Sequence, residues 1–228
     1  MTRNPEEAVI RVLSEGDLGA KRATRPLYEQ AFDDPEDFVD YYYADKCADN
    51  RMVIAESPEG KLLSMAHLNP YTLCVMGHAV KSAYIVAVAT DRAHRHKGLM
   101  TQVLSRVFTL CASEHMPLIW LLPVDPAIYT PSGFEVICDY QKDGSLPYGE
   151  VRASCDIYCL RDRTYLRRQA IEEKLDEEDA SEALPADPKI MMKVTDPAAL
   201  RGLLPDADGA GTLYDAPRRC RCYFREEV

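Results

Sequence analysis

Residues 85–100 read IVAVATDRAHRHKGLM. The stretch 82–89 is almost wholly apolar, which suits a central strand covered on both faces. Beyond the glycine, Leu99, Val103, Leu104, Val107, Phe108, Leu110 and Cys111 recur at helical spacing. Between strand and helix lie Arg92, His94, Arg95, His96 and Lys97, followed at once by Gly98. A buried strand, a basic loop, a glycine and an amphipathic helix make an anion site. The first N–H groups of a helix have no partner within it, and its dipole adds partial positive charge there. Gly98 lets a phosphate approach the backbone, and Arg95 and Lys97 add charge. The plainer alternative is a solvated loop followed by a helix cap. A dinucleotide fingerprint needs three spaced glycines and a P-loop needs GxxxxGK[ST]; this segment has neither.

Outward from this segment, 8–14 reads as a first strand, 15–32 as a helix, and 34–50 as a second helix opening near Pro35 with acidic residues in its first turn. Residues 51–56 and 61–69 form a hairpin around Pro58 and Gly60, and 71–90 form a second hairpin turning near Gly77. Residues 116–124 are a buried strand, 125–134 a short helix or turn, and 135–141 and 152–160 candidate strands. The composition then shifts. Residues 161–189 are charged and read as a solvated helix followed by a linker. Residues 190–204 read as strand, cap and helix, with Thr195 or Asp196 as N-cap and Pro197 at N1. The tail 218–228 reads as a final strand.

With 46% apolar and 28% charged residues, the 228-residue chain has the composition of a soluble globular protein. A net charge of −10 argues against general nucleic-acid binding. It would steer cationic substrates such as amines, or simply aid solubility. The N-terminal MTRNPEEAVI lacks an apolar signal core, and no stretch approaches the ~20 apolar residues of a membrane span. A cytoplasmic protein with no membrane partner is therefore expected. Eight scattered cysteines, without a CxxC pair, are expected to be reduced thiols. Cys220-x-Cys222 lacks companion ligands at zinc-finger spacing, so no metal is expected.

The motif segment resembles motif A of the GCN5-related N-acetyltransferases (GNAT), [RQ]-x-x-G-x-[GA], as Arg95-His96-Lys97-Gly98-Leu99-Met100, with Met100 departing from the small last residue. The element order over about 8–160 is also similar. FVDYYYADK, HLNPYTL, YIVAVATD and PVDPAIYTPSGF further resemble the branch related to enhanced-intracellular-survival (Eis-like) acetyltransferases, with 188–228 similar to a shortened sterol-carrier-like region.

The resemblance implies an α/β GNAT fold: a mixed, mostly antiparallel central sheet flanked by helices, plus a small α+β C-terminal region. It implies a catalytic domain at 1–160, a charged helix and linker at 161–187, and the small region at 188–228. Acetyl-CoA is the implied donor. Its pyrophosphate would lie on Arg95, His96, Lys97, Gly98, Leu99 and Met100, and its pantetheine arm on Val86, Ala87, Val88 and Thr90. Tyr129 matches the family's acid tyrosine. Candidates for the base are His67, the carboxylate of Val228, Glu226, Glu227 or water. Tyr41 to Tyr43, with Asp37 and Asp40, either wall an acceptor pocket or pack as an ordinary helix, and Trp120 is expected in the core. The expected activity is N-acetylation of a primary amine of a small molecule or peptide; a non-catalytic acyl-CoA sensor or a partner-binding module is the alternative. Homo-oligomers are an expectation from the related enzymes.

Overall fold

The computed structural model describes residues 7–141, 146–178, 187–203 and 220–225. The chain folds as a mixed α/β structure whose sheet is flanked by helices, divided into two compact units.

The first unit takes residues 1–69, 85–108 and 162–182. Strand β1 (Val9–Leu13) pairs antiparallel with β2 (Arg51–Glu56), and β2 pairs antiparallel with β3 (Leu62–Val75), in the register Met52↔His67 and Ile54↔Met65. The last half of β4 (His78–Thr90) belongs here too; Ser64 Oγ donates to the Ala89 carbonyl at 2.9 Å. The expected 15–32 helix is two short ones, α1 (Leu18–Arg22) and α2 (Arg25–Ala31). Thr24 stands at the head of the second, its hydroxyl donating back to the Lys21 carbonyl, and Pro26 in the first turn cannot continue a hydrogen-bond ladder from the first.

The expected 34–50 helix is also broken. It runs as α3 (Glu36–Tyr41), a π-helical turn (Tyr42–Lys46) and α4 (Cys47–Asp49). The wider turn places Tyr42, Tyr43 and Lys46 all in the interior. Tyr42 stacks on His67 at 5.8 Å and on Tyr28 at 5.5 Å, while Tyr43 meets Tyr28 edge-on. Lys21 is buried beneath them and donates its ammonium to the carbonyls of Cys47 and Asn50, which fixes the end of α4. Helix α8 (Arg163–Glu178) completes the unit.

The second unit takes 70–84, 109–161 and 183–228. Here β5 (Leu118–Leu121) lies parallel to the first half of β4 through Tyr84↔Trp120. Strand β8 (Lys189–Val194) lies between β5 and β6 (Glu135–Asp139), antiparallel to both. Strand β7 (Ile157–Cys159) pairs with residues 73–75 of β3 and, in parallel, with β9 (Cys222–Tyr223). Trp120 is fully buried, stacked on Tyr84 at 4.3 Å and flanked by Tyr71 and Phe224.

The 152–160 strand starts later than its sequence suggests. Residues 148–154 are helix α7, opened by Pro147 with Glu150 in the first turn, and only 157–159 extend. In the C-terminal part, Asp196 is the cap: its carboxylate accepts from Ala198 N and Ala199 N, and α9 (Pro197–Arg201) follows. The segment 179–186, expected as linker, lies outside the described residues.

Candidate functional site: the basic loop and the kinked strand

The loop between β4 and α5 (Leu99–Ser113) is built from its first residue. Asp91 accepts from Ala93 N at 3.0 Å and from His94 Nδ1 at 2.7 Å. That bond with His94, ahead of the Ala93 N–H and Lys61, holds the Asp91 carboxyl below the usual carboxylate range. Arg92 is tied to α2 through Gln30: its N–H donates to the side-chain amide and its guanidinium to the carbonyl. Arg95 donates Nε to the Thr90 carbonyl at 3.2 Å and stays exposed. Thr90 meets Ser64 hydroxyl to hydroxyl at 2.9 Å. These contacts fix where the chain leaves the strand and where the guanidinium stands.

Two left-handed residues then bracket Lys97: His96 at φ 62° and Gly98 at φ 81°. Backbone turns of this hand make concave nests of N–H groups suited to anions. Histidine tolerates the conformation better than most side chains; glycine adopts it without a steric penalty. The first intrahelical bond of α5 runs from Gln102 N to the Gly98 carbonyl, so the N–H groups ahead of Gln102 have no acceptor inside the helix. Leu99 is buried and anchors the helix start, while Gly98 is exposed. With Val103, Leu104, Val107 and Cys111, Leu99 forms the buried stripe of α5.

Strand β4 carries a second irregularity. Ala87 has φ 51° in the middle of the strand, a conformation an L-residue with a Cβ adopts only under constraint. Val86, Val88 and Thr90 are half-buried and Ala87 and Ala89 buried. Tyr84↔Trp120 is the one registered pair of β4 with β5 among the described residues. The strand therefore changes the direction of its peptide groups at Ala87, beyond the point where the β5 ladder uses them. No glycine marks this kink, so sequence periodicity reads straight through it.

Tyr129 closes helix α6 (Pro126–Tyr129), whose Asp125 cap accepts from Ala127 N at 2.8 Å. Its ring is half-buried against Phe134, edge-on at 5.9 Å, and burial pushes the phenol up to about 12. It is protonated at neutral pH. Four residues on, Gly133 sits at φ 79°, and a Cβ there would come within 2.7 Å of Lys193 Nζ.

His67 is in the interior, with Nδ1 at 3.0 Å from the Tyr42 hydroxyl. Burial, then the charge of Lys21, pushes its imidazole down to about 3. Tyr42 and Tyr43 are core residues, and Asp40 pairs with Arg25 at 2.5 Å. Tyr41 donates to Glu172 of α8. Val228, Glu226 and Glu227 lie outside the described residues.

Helix α8 shows no apolar stripe comparable to that of α5, and an ion network holds it to the π turn. Glu172 accepts from buried Lys46 at 2.7 Å, Asp45 from Arg167 and Arg168, and Asp49 from Arg168. The Arg167 hydrogen bond is the main cause that lowers the Asp45 carboxyl to about 2. From its charged sequence this helix is expected in solvent. The signal available was the pairing of two arginines on α8 with the acidic turns at 45 and 49, which no local pattern registers.

Among the described residues no group of three His, Cys, Asp or Glu side chains could hold a metal ion, and no helix is long and apolar enough to cross a membrane. No curated protein matches the sequence. Solved structures similar in fold include the following three. Eis1 from Mycobacterium abscessus has a TM-score of 0.54 at 14% identity, over 75% of this chain and 49% of its own. The N-acetyltransferase YhbS from Escherichia coli, solved in complex with CoA, has a TM-score of 0.51 at 17% identity, over 89% of each chain. A probable N-acyltransferase from Enterococcus faecalis V583 has a TM-score of 0.51 at 15% identity, over 59% of this chain and 33% of its own. The chain thus spans about half the length of the Mycobacterium protein and a third of the Enterococcus one. The family model of the acetyltransferase (GNAT) domain matches residues 15–137, more than half of the chain and the whole of the segment that carries the kinked strand, the basic loop and Tyr129. On that match, the protein belongs to the GNAT acetyltransferase family.

Proposed function

We propose that the protein is an N-acetyltransferase that moves the acetyl group of acetyl-CoA to a primary amine of a small molecule or peptide. The observation that carries this reading is the left-handed pair His96 and Gly98 at the start of α5, set behind an exposed Arg95 and a strand kinked at Ala87.

The residues fit the donor. The exposed Gly98 leaves room where a side chain would stand, and the N–H groups of 95–100 offer donors to a pyrophosphate. Arg95 adds a planar cation suited to phosphate oxygens. Val86, Ala87 and Val88 offer backbone groups to the pantetheine amides, and an N–H aimed at the thioester carbonyl stabilises its developing charge by roughly 2.7–4 kcal/mol. Thr90, held by Ser64, closes that row. Acetyl-CoA supplies an acyl carbon activated toward nitrogen. The amine forms the new C–N bond and gives up a proton to water as the C–S bond breaks. Tyr129, protonated at neutral pH, gives its proton to the departing thiolate, and solvent then returns a proton to Tyr129. No proton transfer is assigned to His67, which is buried and neutral.

Calorimetry with acetyl-CoA on wild type, Gly98→Glu and Tyr129→Phe, followed by thiol release with a panel of primary amines, tests the proposal. Gly98→Glu should lose roughly 100-fold or more in affinity, since a carboxylate and a strained φ replace an open backbone. Tyr129→Phe should bind normally and release thiol about 100-fold more slowly. Wild type that binds no acetyl-CoA overturns the reading. Binding without turnover on any amine converts it to an acyl-CoA sensor.

A further inference from the structure

All eight cysteines are free thiols, but two of them are not isolated. Cys138 on β6 and Cys222 on β9 lie close enough for their side chains to interact. The backbone brings them there independently. Just beyond Cys138, Gln141 N donates to the Phe224 carbonyl at 2.8 Å, and the Tyr140 hydroxyl donates to the Arg225 carbonyl at 3.1 Å. These two bonds tie the residues that follow β6 to those that follow β9. Both cysteines are half-buried, so a small oxidant can reach them. Cys220 stands close by, its carbonyl accepting from Cys222 Sγ at 3.5 Å.

We propose that Cys138 and Cys222 form a site of reversible oxidation, a disulfide that ties β9 to β6, made by exchange with a low-molecular-weight disulfide. The Cys138 thiolate attacks one sulfur of the small disulfide, and the other half leaves as a thiolate and takes up a proton. The Cys222 thiolate then attacks the Cys138 sulfur of that mixed disulfide and expels the second half. Two protein thiols are oxidised, one small disulfide is reduced to two thiols, and the two protons lost by the cysteines end on the products. The order follows from the environment. The Cys138 contact first, and burial second, push the Cys222 thiol up, so it is a poor first nucleophile. Once Cys138 is capped, the second step is intramolecular and needs only a small thiolate fraction.

The bridge would close a long loop, residues 138–222 or just over a third of the chain, so it should also stabilise the fold. The test treats the full chain with oxidised glutathione and maps its peptides. Trypsin cleavage after Arg221 separates Cys220 from Cys222, and fragmentation distinguishes Cys138 from Cys111 on the partner peptide. The expected result is a Cys138–Cys222 peptide pair lacking two hydrogens, abolished by dithiothreitol, retained in Cys220→Ser and lost in Cys138→Ser. The melting temperature should rise by roughly 5 °C or more on oxidation of wild type, and not of Cys138→Ser. Glutathione stably attached to Cys138 without a cross-link, a bridge to Cys220 instead, or a linked protein with an unchanged melting temperature would each overturn the proposal.

Discussion

The loop at 91–98 and the turn at 42–49 hold charged and aromatic residues in similar density, and the fold treats them in opposite ways. At the turn, the charges are answered from within the protein: Lys46 by Glu172, Asp45 by Arg167 and Arg168, Asp49 by Arg168. In the loop, Asp91 and Arg92 are used to brace the backbone, while Arg95 and the glycine beside the helix start are left facing solvent. The first arrangement makes a scaffold. The second leaves Arg95 and Gly98 exposed, where the proposed acetyl-CoA site needs them.

That contrast can be broken from either side. The largest expected effect is on the scaffold. Glu172→Gln leaves the buried Lys46 ammonium without its carboxylate, and should cost about 3 kcal/mol in urea unfolding while the acetyl-CoA affinity stays unchanged. A matched loss of affinity would mean that the turn belongs to the site. Next is a pH effect carried by His67. Its imidazole is protonated in the unfolded chain near its ordinary value but in the folded chain only near 3. Stability is therefore full above about 6.5 and declines as the pH falls toward 3, by about 2 kcal/mol between pH 7 and pH 5. His67→Gln should flatten that slope; an unchanged slope would show that His67 is not its source. The smallest effect is on the loop. Arg95→Glu should weaken acetyl-CoA binding about tenfold and leave the melting temperature within a degree or two, because the side chain is exposed and its bond to the Thr90 carbonyl braces only the loop among the described residues. A large fall in melting temperature would place Arg95 with the scaffold.

The features that were legible are those a few consecutive residues decide. The apolar run into β4, the stripe of α5, Gly98, the turns near Gly60 and Gly77, and the Asp196–Pro197 start of α9 each carry their own local signal. The illegible ones depend on partners far away in sequence. The π turn at Tyr42–Lys46 exists because Tyr28, His67 and Glu172 receive its side chains. Ala87 is left-handed for reasons a strand-like sequence of small and β-branched residues does not announce. Helix α8 reads as solvated because ion pairs, unlike an apolar stripe, have no periodic mark. Of the two readings open for Tyr41 to Tyr43, the rings of Tyr42 and Tyr43 follow ordinary packing and are core.

The place of β8 bears on how the chain is made. Leu121 on β5 takes Met191 as its partner, so the inner strand of the second unit is translated about 70 residues after the edge it must join. At the usual pace of about 5–20 residues per second, β5 and β6 wait roughly 4–14 s on the ribosome with a gap between them. During that interval the apolar edge at Leu118–Leu121 is an open template for any passing strand. Slower synthesis downstream of β6 should therefore lower the yield of soluble protein, and a chaperone that shields strand edges should restore it.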